Sequence, residues 1–69
     1  GMGCSLMPGA HLSGEVKLKD YVLVGSGACV LNGMLIAGEA RIGAGAVVTR
    51  PVAAGVTVAG VPAREIETQ

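Results

Sequence analysis

The chain is 69 residues long, with five basic and five acidic side chains, formal net charge zero, one Tyr and no Phe or Trp. That length admits one small domain near the size at which a lone core is marginal. The charge balance and lack of aromatic platforms exclude a nucleic-acid binder. No apolar run approaches the ~18–20 residues of a membrane-spanning helix, and no leader pattern opens the chain. Two cysteines, Cys4 and Cys29, make no disulfide framework and read as small core or edge residues of a cytoplasmic protein.

In chain order, Gly1 ahead of Met2 reads as an expression-tag remnant. Gly3-Cys4-Ser5 fill the fourth to sixth places of a six-residue unit. From Leu6 the unit then repeats whole. First places are Leu6, Leu12, Leu18, Val24, Val30, Ile36, Ile42 and Val48; fifth places are Ala10, Val16, Val22, Ala28, Met34, Ala40, Ala46 and Val52. Both sets are apolar without exception. Gly9, Gly27, Gly33 and Gly45 hold fourth places, and Gly25 and Gly43 second places. The unit Leu18–Leu23 is the most polar, with Lys17, Lys19 and Asp20 predicted to face water. Leu23, Leu31, Leu35 and Val47 fall outside the inward set and read as contact surface. His11, the only histidine, holds a sixth place, which borders the outer surface or a subunit contact, and is a weak catalytic candidate that reads first as structural.

After Val48 the rhythm breaks. Thr49–Gly55, with Pro51 and Gly55, reads as a loop four residues longer than a unit needs. Val56–Ala59 alternates as a last strand, and Gly60–Arg64 turns out of the repeat. Pro62 suits the first turn of a helix, which predicts a helical tail over Ala63–Gln69.

A period of six is neither helical nor the plain alternation of a strand. Read as a repeat, it fits a parallel β-helix: each unit is a short strand plus a corner, and three units close a coil of 18 residues. Leu6 then stacks on Val24 and Ile42, Leu12 on Val30 and Val48, and Leu18 on Ile36, spaced by about 4.8 Å. The predicted fold is all-β, a parallel β-helix of about 2.7 coils in a single domain over residues 1–69. Glycine at the corners supplies backbone conformations that other residues resist. Open strand edges and exposed apolar side chains argue for association, and a three-sided prism for a homotrimer.

The run Ile42-Gly-Ala-Gly-Ala-Val-Val-Thr-Arg50 and the closing Val58-Ala-Gly-Val-Pro-Ala-Arg64 carry a resemblance that Leu6–Gly14 extends. From Cys4 onward the chain resembles the C-terminal part of the hexapeptide-repeat acyltransferases, which are left-handed parallel β-helices. Within them it most resembles the bacterial sugar O- and N-acetyltransferases of the sialic-acid O-acetyltransferase type. The resemblance implies acetyl-CoA as co-substrate, bound in a groove between neighbouring prisms of a trimer. Carried over by position, Ser13, Gly14, Gly25, Ser26, Gly43 and Ala44 would meet the pantetheine arm. Thr49, Arg50 and Arg64 would meet the nucleotide end, where guanidinium groups suit phosphates.

The family's histidine base, which deprotonates the acceptor, lies in an Asp-His-Asp-like segment upstream of where this chain begins. A second histidine of some relatives falls where Ser5 stands, and His11 matches neither. The resemblance therefore implies a chain truncated at its N-terminus relative to the family and lacking the usual base. The candidate readings are an acetyl-CoA-dependent acyltransferase module and a non-catalytic trimeric β-helix that retains CoA or a protein partner. A carbonic-anhydrase-like metal site needs several histidine ligands, which one His per chain does not supply.

Overall fold

A computed structural model describes residues 2–66, all of whose regular structure is β-strand. Eight two-residue strands follow one another at six-residue intervals: β1 (Ser5–Leu6), β2 (His11–Leu12), β3 (Lys17–Leu18), β4 (Leu23–Val24), β5 (Cys29–Val30), β6 (Leu35–Ile36), β7 (Arg41–Ile42) and β8 (Val47–Val48). They stack into the three faces of a prism: β1-β4-β7 on the first, β2-β5-β8 on the second and β3-β6 on the third, all parallel. The register is that of an 18-residue coil, with Leu6 on Val24 on Ile42, Leu12 on Val30 on Val48, and Leu18 on Ile36. This is the β-helix that the sequence predicts.

First and fifth places build the core. Val22, Val24, Ala28, Val30, Ile36, Ala40, Ile42, Ala46, Val48, Val52 and Val58 are all buried. Each fully buried Val or Ile contributes about 1.5–3 kcal/mol relative to an exposed one. Burial fades towards the first coil, where Leu12 and Leu18 are half-buried and Leu6 is 53% exposed. Nothing among the described residues stacks beneath them.

The corners are turns. The fifth-place N–H donates to the second-place carbonyl, as in Ala10 to Met7 (3.1 Å), Ala28 to Gly25 (3.1 Å) and Ala46 to Gly43 (3.2 Å). The fourth-place N–H points along the axis to the third-place carbonyl one coil back, as in Gly27 to Pro8 (3.2 Å) and Gly45 to Ser26 (2.8 Å). Every fourth place from Gly3 to Gly45 has a left-handed backbone, as the third position of a type II turn does. Gly9, Gly27, Gly33 and Gly45 stand there, but Glu15 (φ 61), Tyr21 (φ 60) and Glu39 (φ 62) adopt the same conformation without a glycine.

Two expectations for the C-terminal part are corrected. The stretch after Val48 is two residues shorter than a unit, not four longer. Val52 bridges Ile36 and Val58 pairs with Ile42, both 16 residues apart instead of 18. Val52 is thus a first place, and Val52-Ala-Ala-Gly-Val-Thr57 is a whole unit with Gly55 at φ 71 in its fourth place. The third coil is completed, giving three coils and not 2.7. The second correction concerns the tail. After β9 (Thr57–Ala59), residues 60–63 turn, and β10 (Arg64–Ile66) runs back antiparallel to β9. The unused edge of β9 offers hydrogen bonds to a strand, which outweighs the local helix signal of Pro62. Residues 67–69 of the predicted helix lie outside the described ones.

Candidate functional site

Three corner columns run along the prism. The first column stacks Met7–Gly9, Gly25–Gly27 and Gly43–Gly45; the second stacks Ser13–Glu15 and Leu31–Gly33 and ends in Thr49-Arg50; the third stacks Lys19–Tyr21, Ala37–Glu39 and Ala53–Gly55. Over two coils the first column carries no side chain larger than Ser26. A Cβ on Gly25 would come within 2.6 Å of the Ala44 nitrogen and 2.8 Å of the Gly43 carbonyl carbon, so the coils touch there backbone to backbone. Gly43 is tight as well, with Ala59 Cβ at 3.1 Å.

The backbone bonding of this column decides which groups could meet a ligand. The N–H groups of Gly25 and Gly43 are committed to Ile42 and Val58 oxygens at 2.8 Å each. The N–H groups of the exposed Ser26 and Ala44 have no backbone acceptor among the described residues, nor does the Ala44 carbonyl receive a backbone N–H. These uncommitted amide groups, spaced one coil apart on a bare edge, suit an extended ligand carrying amides of its own.

The predicted set divides in two. Gly25, Ser26, Gly43 and Ala44 share the first column. Ser13 and Gly14 belong to the second, beneath Leu31-Asn32 and Thr49-Arg50, so they are not part of the same wall. Thr49, Arg50 and Arg64 do come together. They rim a concavity of about 520 Å³ at the C-terminal end of the prism, with Val52 and Val58 in its floor and Glu65 on its edge. The short unit is the cause: by omitting two corner residues it draws Thr49-Arg50-Pro51 across the end of the coil. The β9–β10 turn is fixed opposite by the Ala63 N–H on the Val47 oxygen (2.8 Å) and the Val47 N–H on the Gly60 oxygen (3.1 Å).

His11 is exposed on the second face, directly opposite Cys29 on the neighbouring strand. Of the apolar residues read as contact surface, Leu31 (39%) and Leu35 (42%) are exposed, whereas Leu23 and Val47 are half-buried. The sequence reading places backbone groups of Gly25-Ser26 and Gly43-Ala44 against the ligand; the coil register adds that the Gly25 and Gly43 N–H groups are already spent, which leaves those of Ser26 and Ala44.

No family model matches the chain. It is 39% identical over 67 residues, 86% of this chain and 28% of the relative, to the 2,3,4,5-tetrahydropyridine-2,6-dicarboxylate N-acetyltransferase of Staphylococcus aureus. Its fold matches a histidine-to-asparagine variant of perosamine N-acetyltransferase from Caulobacter crescentus in complex with CoA and GDP-perosamine, with a TM-score of 0.95 and 34% identity, covering 97% of this chain and 32% of that one. It also matches the acetyltransferase domain of PglB from Neisseria gonorrhoeae in complex with acetyl coenzyme A, with a TM-score of 0.89 and 36% identity, covering 91% of this chain and 31% of that one. The chain therefore spans about a third or less of the length of these relatives.

Proposed function

We propose that, over the stretch it spans, the chain is the β-helix module of a hexapeptide-repeat acetyltransferase and binds acetyl-CoA, as its similarity to such enzymes supports. The observation that carries this reading is the bare first column with its uncommitted Ser26 and Ala44 amides. An extended pantetheine arm carries two amides and can lie against backbone only where side chains are absent. Arg50 and Arg64, with Thr49, supply the cationic end that nucleotide phosphates require. Ser13 and Gly14 would meet the ligand only from the second column, as the wall contributed by a neighbouring prism.

A homotrimer provides that second wall. The exposed Leu31 and Leu35 are its contact material on this reading, and light scattering at micromolar concentration tests it, a monomer mass refuting it. Within the family the closing Val58–Arg64 motif favours sugar O- or N-acetyltransferases of the sialic-acid O-acetyltransferase type. A sugar-nucleotide-bound neighbour agrees with a sugar acceptor. Two free thiols and a CoA ligand accord with the cytoplasm. No helix among the described residues is long and apolar enough to cross a membrane.

For direct transfer to an acceptor hydroxyl or amine we assign no base in this chain, since Ser5 stands where some relatives place a histidine and His11 lies on another face. The same observation favours a second reading, a CoA-binding scaffold without turnover. Calorimetric titration with acetyl-CoA, paired with an assay of thiol release with sugar acceptors, separates them. Binding with turnover supports the acyltransferase module, binding alone supports the scaffold, and no binding at millimolar acetyl-CoA refutes both.

A further inference from the structure

The two cysteines occupy opposite sides of the wall. The Cys4 thiol donates to the Lys19 carbonyl oxygen at 2.9 Å and packs against the core. Cys29 holds a sixth place on the outward second face, between His11 and Val47 in register on the strands to either side. The side-chain hydrogen bonds among the described residues engage neither Cys29 nor His11. Side chains opposite one another on neighbouring strands have Cβ atoms about 5 Å apart, which places imidazole and thiol within reach of one another. Each residue also ends a unit whose corner lies in the first column: Cys29 closes Val24-Gly25-Ser26-Gly27-Ala28, and His11 closes Leu6-Met7-Pro8-Gly9-Ala10. The face that carries the pair is therefore the one the chain enters on leaving the bare edge.

We propose that Cys29 and His11 form a nucleophile–base pair that takes up an acyl group from a thioester, so that the chain itself becomes S-acylated. In the exchange the Cys29 sulfur attacks the thioester carbonyl while the His11 imidazole accepts the thiol proton. The tetrahedral intermediate collapses with cleavage of the bond to the leaving thiol, and the imidazolium returns the proton to that sulfur. One thioester and one thiol enter, and one of each leaves, without an oxidant or a further reactant. A base next to the sulfur is what activates cysteine nucleophiles, and the register places His11 as that neighbour. The identity of the donor as acetyl-CoA rests on the function proposed above; the pair itself does not.

The test uses two donors, acetyl-CoA and the acetyl thioester of N-acetylcysteamine, which has no nucleotide. Peptide mass spectrometry then locates a hydroxylamine-sensitive acetyl group. The expected result is acetylation of Cys29 and not of Cys4, abolished in Cys29→Ser and slowed in His11→Gln on the order of a hundredfold, the low end of what a positioned base contributes. His11 is exposed and Cys29 faces outward, so both variants keep the core intact, which circular dichroism checks. The rate in the wild type should rise with pH through an inflection that His11→Gln removes, a signature that a structural role would not produce. Acetylation by the small thioester but not by acetyl-CoA supports the pair and removes the CoA reading. No adduct from either donor, equal labelling of Cys4, or a rate untouched by His11→Gln overturns the proposal.

Discussion

The backbone contact at Gly25 offers a direct measure of how closely the coils are stacked, through Gly25→Ala. The new Cβ would meet the Ala44 nitrogen at 2.6 Å and the Gly43 carbonyl carbon and Ile42 oxygen at 2.8 Å each, where ordinary contacts begin near 3.4 Å. Relief takes a shift of roughly 0.8 Å, the difference between those limits, and it must come from backbone locked in the ladder by the Gly25 N–H on Ile42. Overpacking of this kind costs about 1–3 kcal/mol, and immobile partners put it at the upper end. Gly25 is not left-handed, so Ala also gains about 0.4–1 kcal/mol by stiffening the unfolded chain. The net loss is about 2 kcal/mol, out of a total of about 3–10 kcal/mol for a domain of 69 residues. The melting temperature should fall by about 8–16 °C. Gly27→Ala is the control, since Gly27 has φ +70 and nothing within 4 Å of its Cβ site. It should lose only the left-handed cost of about 1 kcal/mol. Urea unfolding followed by far-ultraviolet circular dichroism reads both. A Gly25→Ala midpoint at or above that of Gly27→Ala would refute the close approach.

Glu39→Asn should stabilise the domain by about 0.5–1 kcal/mol, because Asn tolerates the left-handed φ of 62 that Glu resists. Glu39→Ala should yield no such gain, and thermal melts of the pair decide it. Ile36→Ala should cost about 3 kcal/mol and Leu6→Ala under about 1 kcal/mol, since the first is fully buried and the second 53% exposed; similar urea midpoints would contradict the burial gradient. Arg50→Gln and Arg64→Gln should each weaken CoA binding about tenfold or more, the worth of one lost charge-assisted hydrogen bond. Both should leave pantetheine binding unchanged, and calorimetry with the two ligands would expose any role for the guanidinium groups away from the phosphates.

The prism was legible in the sequence because its interior admits little but aliphatic side chains at first and fifth places, so Val24, Val30, Ile36 and Ile42 announce their stacking directly. Fourth places were only half legible. Gly27 and Gly45 reveal a left-handed corner, whereas Glu15, Tyr21 and Glu39 show nothing of it in their identity; for Tyr21 and Glu39 the bonds to the Met2 and Asp20 oxygens (2.8 Å each) hold the conformation. The frame slip after Val48 misplaced Val52, although restarting the count there recovers a unit of the same small-small-Gly-apolar form as Ile42–Val47. The tail was misread because β9 supplies a free edge that no local propensity records. For the site, an 18-residue register was sufficient to unite Gly25-Ser26 with Gly43-Ala44, and the same register separates Ser13-Gly14 from them.

These partial failures share a physical origin that bears on function. A hexapeptide coil is periodic, and periodicity alone makes every corner equivalent; a site arises only where the period is broken or the corner is stripped. Both departures occur here. The third-place amides are without a backbone acceptor at every corner among the described residues, but only where Gly25 and Gly43 let two coils meet without bulky side chains do they lie on a bare edge. Omission of two residues after Thr49-Arg50 draws a guanidinium to the prism end, where β10 brings the second. On the proposed function, the first departure would receive a neutral, amide-bearing arm and the second an anionic end. Neither the repeat nor core stability requires the two departures, and the proposed binding of one extended ligand carrying both parts would account for them together.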